Sequence, residues 1–357
     1  MNKNVELITE LADAFGPSGF EDEVVNTARR YTKDLDVYED HMRNFYMKPK
    51  NFSGKKLHVL LDAHSDEVGF MVHSVRPDGS LRFTNLGSPT LATLASDKVR
   101  IRNDRGEYIP GIISSVSPHY AKTSSANAGA ITQINQLSMD VGATSDKEAE
   151  EEFAITMGEP ATFDTTCEYD EEHGLIFGKA FDCRVGCAAV ITTLNRIKDM
   201  DLGVDVSGVL AIMEEFNAGG AQIAAQTVKP DLVICFEGCP ADDTIASGSD
   251  IQTRLKHGPF LRHMDGSMIS HPRFQKFALD TAKKYGIKWQ AGVREGSGTN
   301  GMKYHVANQG IPTIVMGIPV RYAHSANGIT AEEDFENAVE LTVRILTELN
   351  ENIFETF

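Results

Sequence analysis

No run of apolar residues in this chain approaches the roughly 18 that a helix needs to span a bilayer. Positive charge is scarce too: 34 Lys and Arg stand against 51 Asp and Glu, a formal net charge of −17. That balance excludes nucleic acid and anionic membrane as partners, because both are polyanions. Cysteine is sparse, limited to Cys167, Cys183, Cys187, Cys235 and Cys239. An odd count, with several members inside apolar runs, argues against a disulfide framework and for reduced thiols in a cytoplasmic protein. The spacings Cys183-x-x-x-Cys187 and Cys235-x-x-x-Cys239 are loose for a zinc site, and their flanks read as buried core. A secretory leader is not expected. Val5, Ile8, Ala12 and Phe15 are spaced as on an amphipathic helix, not as in a signal-peptide core. Internal repeats and low-complexity tails are lacking as well.

What is present is enough apolar residue, 41% of 357, for a sizeable core and about two domains. A first helix stops at Gly16-Pro17, and Ser18-Gly19-Phe20-Glu21 reads as a capping box for a second, through about Tyr31. Strands are expected over 35–38, 44–47 and 57–63. From Val68 the texture changes to short strands, over 68–75, 81–84, 99–101, 108–113 and 161–163. Turn signals such as Pro77-Asp78-Gly79 separate them, and a Ser/Ala-rich stretch, Thr123–Ile131, reads as a mobile loop. After about Asp164, helices and strands alternate again, with helices over 187–199, 220–228, 271–285 and 331–350. Strands fall between them over 206–213, 232–236 and 313–316. The expected architecture is α/β: a discontinuous mixed-sheet domain of residues 1–67 and 165–357, interrupted by a small barrel-like β domain of residues 68–164.

Five candidate metal ligands sit where apolar runs give out. Leu60-Leu61-Asp62-Ala63 leads to His64, and Val209–Met213 leads to the pair Glu214-Glu215. Leu232–Phe236 leads to Glu237, Ile314–Pro319 leads to His324, and Leu175–Phe177 precedes Asp182. Open α/β sheets form their sites at the carboxyl ends of strands. Two His and three carboxylates gathered there suit a pair of divalent metals, which points to a metallohydrolase. Residues two apart on an extended segment share a side, so Asp66 can orient His64 from behind. Adjacent residues on an extended segment point apart. One of Glu214 and Glu215 is then free to ligate while the other takes a proton. A glycosidase needs two carboxyls flanking a bond at roughly 5–10 Å, which an adjacent pair serves poorly.

Taken together, these segments resemble the co-catalytic di-metal aminopeptidases, a family that includes glutamyl, deblocking and tetrahedral aminopeptidases and some proteins called endoglucanases. The resemblance runs over nearly the whole chain. It is carried by Gly16–Glu21, Asp62–Gly69, Met139–Ala143, Phe181–Gly186, Glu214-Glu215 and Gly317–Ser325. It implies a zinc-peptidase-like fold and two zinc or cobalt ions per subunit. His64, Asp182 and Glu237 would hold one ion and Asp182, Glu215 and His324 the other, with Asp182 bridging. It further implies Glu214 as general base for a bridging water that attacks the first peptide carbonyl, and Asp66 as the residue behind His64. The substrates would be peptides. The inserted domain would dimerise, and dimers could build up to dodecamers.

The chain departs from the family pattern in three places. Cys183 stands where Asp is usual, Glu237 where Asp is frequent, and Asn300 in place of Asp in Ser297-Gly298-Thr299-Asn300. The change at Asn300 is expected to bear on substrate handling more than on metal binding. Cys183, beside a bridging ligand, is expected to make the site sensitive to oxidants. Arg294, Lys303 and Arg321 are candidates, by position, for a basic specificity pocket. Two alternatives stand beside an aminopeptidase: a related di-metal hydrolase removing an N-acyl or carbamoyl group, and a homologue that kept the fold for binding or assembly and lost the activity.

Overall fold

In a computed structural model of the protein, which describes residues 2–115 and 133–357, four parallel strands form the centre of an 11-stranded mixed sheet. In spatial order they are Asp205–Ala211, His58–His64, Leu232–Pro240 and Thr313–Arg321. Phe45–Pro49 and Leu35–Glu39 extend one side antiparallel, and Gly328–Ala331, Leu175–Gly178 and Glu168–Asp170 extend the other. Phe260–Met264 and Gln290–Val293 branch from the Thr313–Arg321 strand.

The central strands read as unbroken apolar runs because both of their faces are covered. Side chains alternate between faces. Val59, Leu61, Leu210, Ile234 and Phe236 therefore pack with helices Lys3–Asp13, Phe181–Ile197 and Glu332–Glu348. Leu60, Val209, Ala211, Val233 and Cys235 pack instead with helix Gly219–Val228 and with Tyr304. Among the described residues, no helix is long and apolar enough to cross a membrane.

Strands Gly69–Val75, Leu81–Leu86, Met139–Asp140, Tyr108–Ile113, Lys98–Arg102 and Pro160–Phe163 close into a barrel, which leaves this sheet no free edge. Its core is separate from that of the large sheet and centres on Phe70, which meets Phe83 and Phe163 edge-on at 5.2 and 5.5 Å. The expected fold class is borne out, including the barrel. Met139–Asp140 is one strand that periodicity could not show, because two residues have no period. The loop expected over Thr123–Ile131 lies outside the described residues.

Two helix starts differ from expectation. Helix Asp22–Tyr31 carries no side-chain cap, because the Ser18 hydroxyl donates elsewhere, to Asp66. The helix expected from Cys187 begins at Phe181, with Asp182 and Cys183 in non-helical conformation inside its first turn. That irregular turn delivers Asp182 to the carboxyl ends of the parallel strands.

Truncating Phe70 to Ala should destabilise the protein by about 3–5 kcal/mol, from lost apolar transfer and the cavity left among three rings. Chemical denaturation measures this, and a loss below about 1 kcal/mol would mean that the barrel core is not packed as described.

Candidate metal centre

His64 ends its parallel strand and is buried, with its two ring nitrogens facing different groups. Nδ1 lies 3.2 Å from Asp66 Oδ1, while Nε2 lies 3.1 Å from Asp182 Oδ1 and 3.2 Å from Glu237 Oε1. Across the site, His324 Nε2 is 3.3 Å from Asp182 Oδ2 and 3.0 Å from Glu215 Oε1. Its Nδ1 is 2.9 Å from the Ser88 carbonyl, which comes from the segment between barrel strands Leu81–Leu86 and Lys98–Arg102. Asp182 thus turns one oxygen to each histidine.

Asp66 is fully buried and heavily bonded. It accepts from the Ser18 hydroxyl at 2.6 Å and from the backbone N–H groups of Glu214 and Glu215 at 2.9 and 3.1 Å. These two N–H groups open the short helix Glu214–Asn217, which follows a turn at Met213 with φ of 53°. The glutamates therefore lie on a helical first turn and not on the extended segment expected from sequence. They still diverge, since successive helical residues are offset by about 100°. Glu214 offers an oxygen within 4.8 Å of donor atoms from both His64 and Glu215.

Electrostatics follow from this crowding of acids. Burial, with Glu237, Glu215 and Asp66 nearby, pushes the Glu214 carboxyl well above its ordinary range despite His64. Burial likewise raises Glu237 to about 8, against the pull of His64. Burial works against charge on Asp182 and Asp66, but the histidines outweigh it at Asp182, and His64, Ser18 and the Glu214 N–H do so at Asp66. Both carboxyls are held low. Burial also opposes charge on His324, yet Asp182 and Glu215 lift its pKa to about 11.

The donor set fits a pair of divalent cations. His64, Asp182 and Glu237 offer one group of ligand atoms, and Asp182, Glu215 and His324 another, each within 4.8 Å. Glu215 Oε1 faces His324 Nε2 at 3.0 Å, and Glu237 Oε2 is buried and accepts no hydrogen bond. Buried carboxylate oxygens are rarely left so unless a cation serves them.

All seven singled-out residues, His64, Asp66, Asp182, Glu214, Glu215, Glu237 and His324, converge here. Glu237 does so from inside its strand, because pairing with the neighbouring strand continues to Pro240. Other supporting groups were not legible. The Glu21 side chain accepts from the N–H of Gly19 and Met213 at 2.9 and 3.0 Å, which braces the turn before Glu214. Buried Arg184 donates to the carbonyls of Leu11, Ala14 and Gly16, and both it and Lys179 pair with Glu67. This cluster ties the first helix to the site.

Three expectations change. Asn300 is engaged inside the fold: it is buried, donating to Asp62 Oδ2 at 2.9 Å while Tyr304 donates to Asp62 Oδ1 at 2.8 Å. Arg321 is paired in bidentate fashion with Asp243, and Arg294 lies 3.9 Å from Asp242 and donates to the Pro240 carbonyl and the Thr253 hydroxyl, so neither offers an unpaired cation. Cys183 is buried, which limits the access that an oxidant needs.

A family model described as M42 glutamyl aminopeptidase matches residues 44–341. The chain belongs to this family. It is 31% identical to the glutamyl aminopeptidase of Lactococcus lactis, over 82% of this chain and 81% of that protein. It is 28% identical to the lysyl aminopeptidase of Pyrococcus furiosus, over 96% and 97%. Among solved structures, the TET aminopeptidase of Thaumarchaeota archaeon SCGC AB-539-E09 superposes with a TM-score of 0.93 at 31% identity, covering 99% of each chain. An M42 peptidase is a metal-dependent hydrolase of peptide bonds, and the candidate cluster in this chain accords with that chemistry.

Groups that would ligate an ion have raised proton affinity, Glu237 to about 8 and His324 to about 11, so loading the metal-free protein with zinc at pH 7 should release protons. Zinc affinity should therefore rise with pH. Calorimetry in buffers of different ionisation enthalpy reads the release, and binding without any proton release would contradict the charge arrangement described.

Proposed function

We propose that this chain is an aminopeptidase that removes N-terminal residues from peptides, using two divalent ions, zinc or cobalt, and Glu214 as general base. The division of Asp182 between the two histidine-centred groups carries this reading: Oδ1 faces His64 and Oδ2 faces His324. His64, Asp182 and Glu237 would hold one ion, and Asp182, Glu215 and His324 the other. When bound, such ions supply Lewis acidity to polarise the scissile carbonyl and a charge to receive the free amine.

The chain's own residues provide the rest. Glu214 lies next to both ligand groups without the hydrogen bonds that fix Asp66. Its raised pKa makes it a willing proton acceptor from the attacking water. It would then return that proton to the departing amine nitrogen. Asp66 acts by position: it orients the His64 ring and anchors the backbone from which Glu214 and Glu215 project. The side-chain preference at the substrate's first residue stays open, since relatives of comparable identity carry glutamyl and lysyl names. Residues 68–164 are proposed as a separate inserted domain that mediates self-association. Ile112, on barrel strand Tyr108–Ile113, is 50% exposed and is the apolar position at which this is tested. Sedimentation should show a dimer or a larger assembly, and Ile112→Glu should shift it toward monomer.

Glu214→Gln keeps the shape but removes the proton acceptor. It should lower kcat about 10²–10⁴-fold on aminoacyl substrates while metal content stays near two ions per subunit. Turnover near wild type would remove Glu214 from the mechanism. Peptides with free and with N-blocked termini separate the readings. Cleavage of the free peptide alone supports an aminopeptidase, and release of the blocking group supports a di-metal deacylase. No turnover of either by the loaded protein supports a binding homologue.

A further inference from the structure

We propose that Cys183 is a ligand of the ion held by His64, Asp182 and Glu237, binding it as a thiolate and giving this site a sulfur donor that the His324 site lacks. The inference rests on the two-ion reading above and concerns what distinguishes the two ions.

Local geometry leads to it. The backbone enters the Phe181–Ile197 helix through Ala180 at φ of 57°, and Asp182 and Cys183 both depart from helical angles. Adjacent side chains that a regular helix would fan apart thereby serve one site. The Cys183 Sγ, His64 nitrogen and oxygens of Asp182 and Glu237 all lie within 4.8 Å of one another. The sulfur is also confined. A Cβ on Gly186 would sit 2.3 Å from it, so this glycine makes room for the sulfur within the helix, and a Cβ on Gly238 would sit 2.5 Å from Asp182 Cα, so that glycine admits the strand's close approach.

The partners on offer do not satisfy the cluster without a cation. Cys183 has a contact of 3.4 Å to the Phe236 carbonyl, a weak bond for a thiol. Glu237 Oε2, buried beside it, accepts nothing. His64 Nε2 is 3.1 and 3.2 Å from its two carboxylate oxygens. Ligands about 2.0–2.1 Å from a tetrahedral ion lie roughly 3.3 Å apart, and a thiolate at about 2.3 Å completes such a set. The alternative is a core thiol. Cys187 exemplifies it: its Sγ donates to the His64 carbonyl at 3.0 Å and belongs to no such cluster. Cys183 shares the apolar cluster of Cys187 but differs from it in lying within 4.8 Å of donor atoms of His64, Asp182 and Glu237.

The consequence is an asymmetric pair. One ion has nitrogen, oxygen and sulfur donors, which favour zinc or cobalt over manganese or magnesium. The other has only nitrogen and oxygen, from Asp182, Glu215 and His324. The sulfur-bound ion receives more charge from its ligands and should exchange more slowly, and the other should be the more exchangeable.

Cobalt titration of the reduced, metal-stripped full-length protein tests this without reference to turnover. Wild type should develop a near-ultraviolet thiolate-to-cobalt absorption that saturates within two equivalents. Cys183→Ser should lose that band and still bind two cobalt ions, while Cys187→Ser should keep it. Two bound cobalt ions with no band in wild type, or a full band in Cys183→Ser, would overturn the ligand assignment and leave the two-ion reading standing. No cobalt uptake by wild type would overturn the two-ion reading, and this inference with it. Where Cys183→Ser fails to fold, X-ray absorption of the zinc-loaded wild type decides. A sulfur scatterer at about 2.3 Å supports the proposal, and a shell of nitrogen and oxygen alone overturns it.

Discussion

The Asp66 carboxylate is the interaction on which the rest of the site depends. It is an anion buried in the protein interior, where an unpaired charge would be prohibitive. It stays charged because donors converge on it from three separate parts of the chain: the Ser18 hydroxyl, the His64 ring, and the N–H groups of Glu214 and Glu215. Hydrogen bonds to a charged group contribute about 1.5–3 kcal/mol each. Each also sets a position. The bond from His64 Nδ1 leaves Nε2 free to act as a ligand, and those from Glu214 and Glu215 fix the backbone that aims a proposed base and a proposed ligand at the same space.

Around that carboxylate the scaffold works by limiting movement. Parallel strands bring His64, Glu237 and the turn before Glu214 to one edge of the sheet, in a register enforced by two apolar faces. Arg184 satisfies three carbonyls at the end of the first helix and pairs with Glu67, one residue beyond Asp66. Lys179 pairs with the same Glu67 from just before Asp182. A displacement of the first helix would therefore reach both sides of the cluster. The barrel side contributes the Ser88 carbonyl, which faces His324 Nδ1 and leaves its Nε2 toward the carboxylates.

Much of this was legible because it is written in side chains of unambiguous type. Apolar runs ending in His or carboxylate marked the strands and the ligands together, and the change to short strands with turns marked the barrel. What was missed depends on backbone or on distant pairing. A carbonyl such as that of Ser88 leaves no trace in residue identity. The Ser18 hydroxyl gave a helix-cap signal because Ser and Glu at that spacing fit a capping box, yet Asp66, far away in sequence, takes the hydroxyl. Glu237 was placed at a strand end because the apolar run stops at Phe236; the strand pairs on to Pro240, and Gly238 within it lets Asp182 approach closely. Asn300 was weighed by its charge against a substrate, whereas its partner is Asp62, which an acid at that position would repel.

The acids of this site illustrate why function and stability pull apart. Glu214, Glu215 and Glu237 are gathered where burial and mutual repulsion raise their pKa values, and nothing in the fold itself gains from the arrangement. Burial opposes charge on His64 and His324, yet the acidic groups around them raise both, and Glu237 Oε2 accepts no hydrogen bond. Such a cluster is preorganised: the ligands already stand at near-coordination spacing, so a binding ion replaces protons without having to reorder side chains. The neighbouring networks absorb the cost. Asp66 and Glu67, adjacent in sequence, are both fully paired, one by neutral and ring donors and the other by Lys179 and Arg184. Firm anchoring on that side accompanies a cluster of buried acids on the other, and that asymmetry makes a strand end a candidate place for cations.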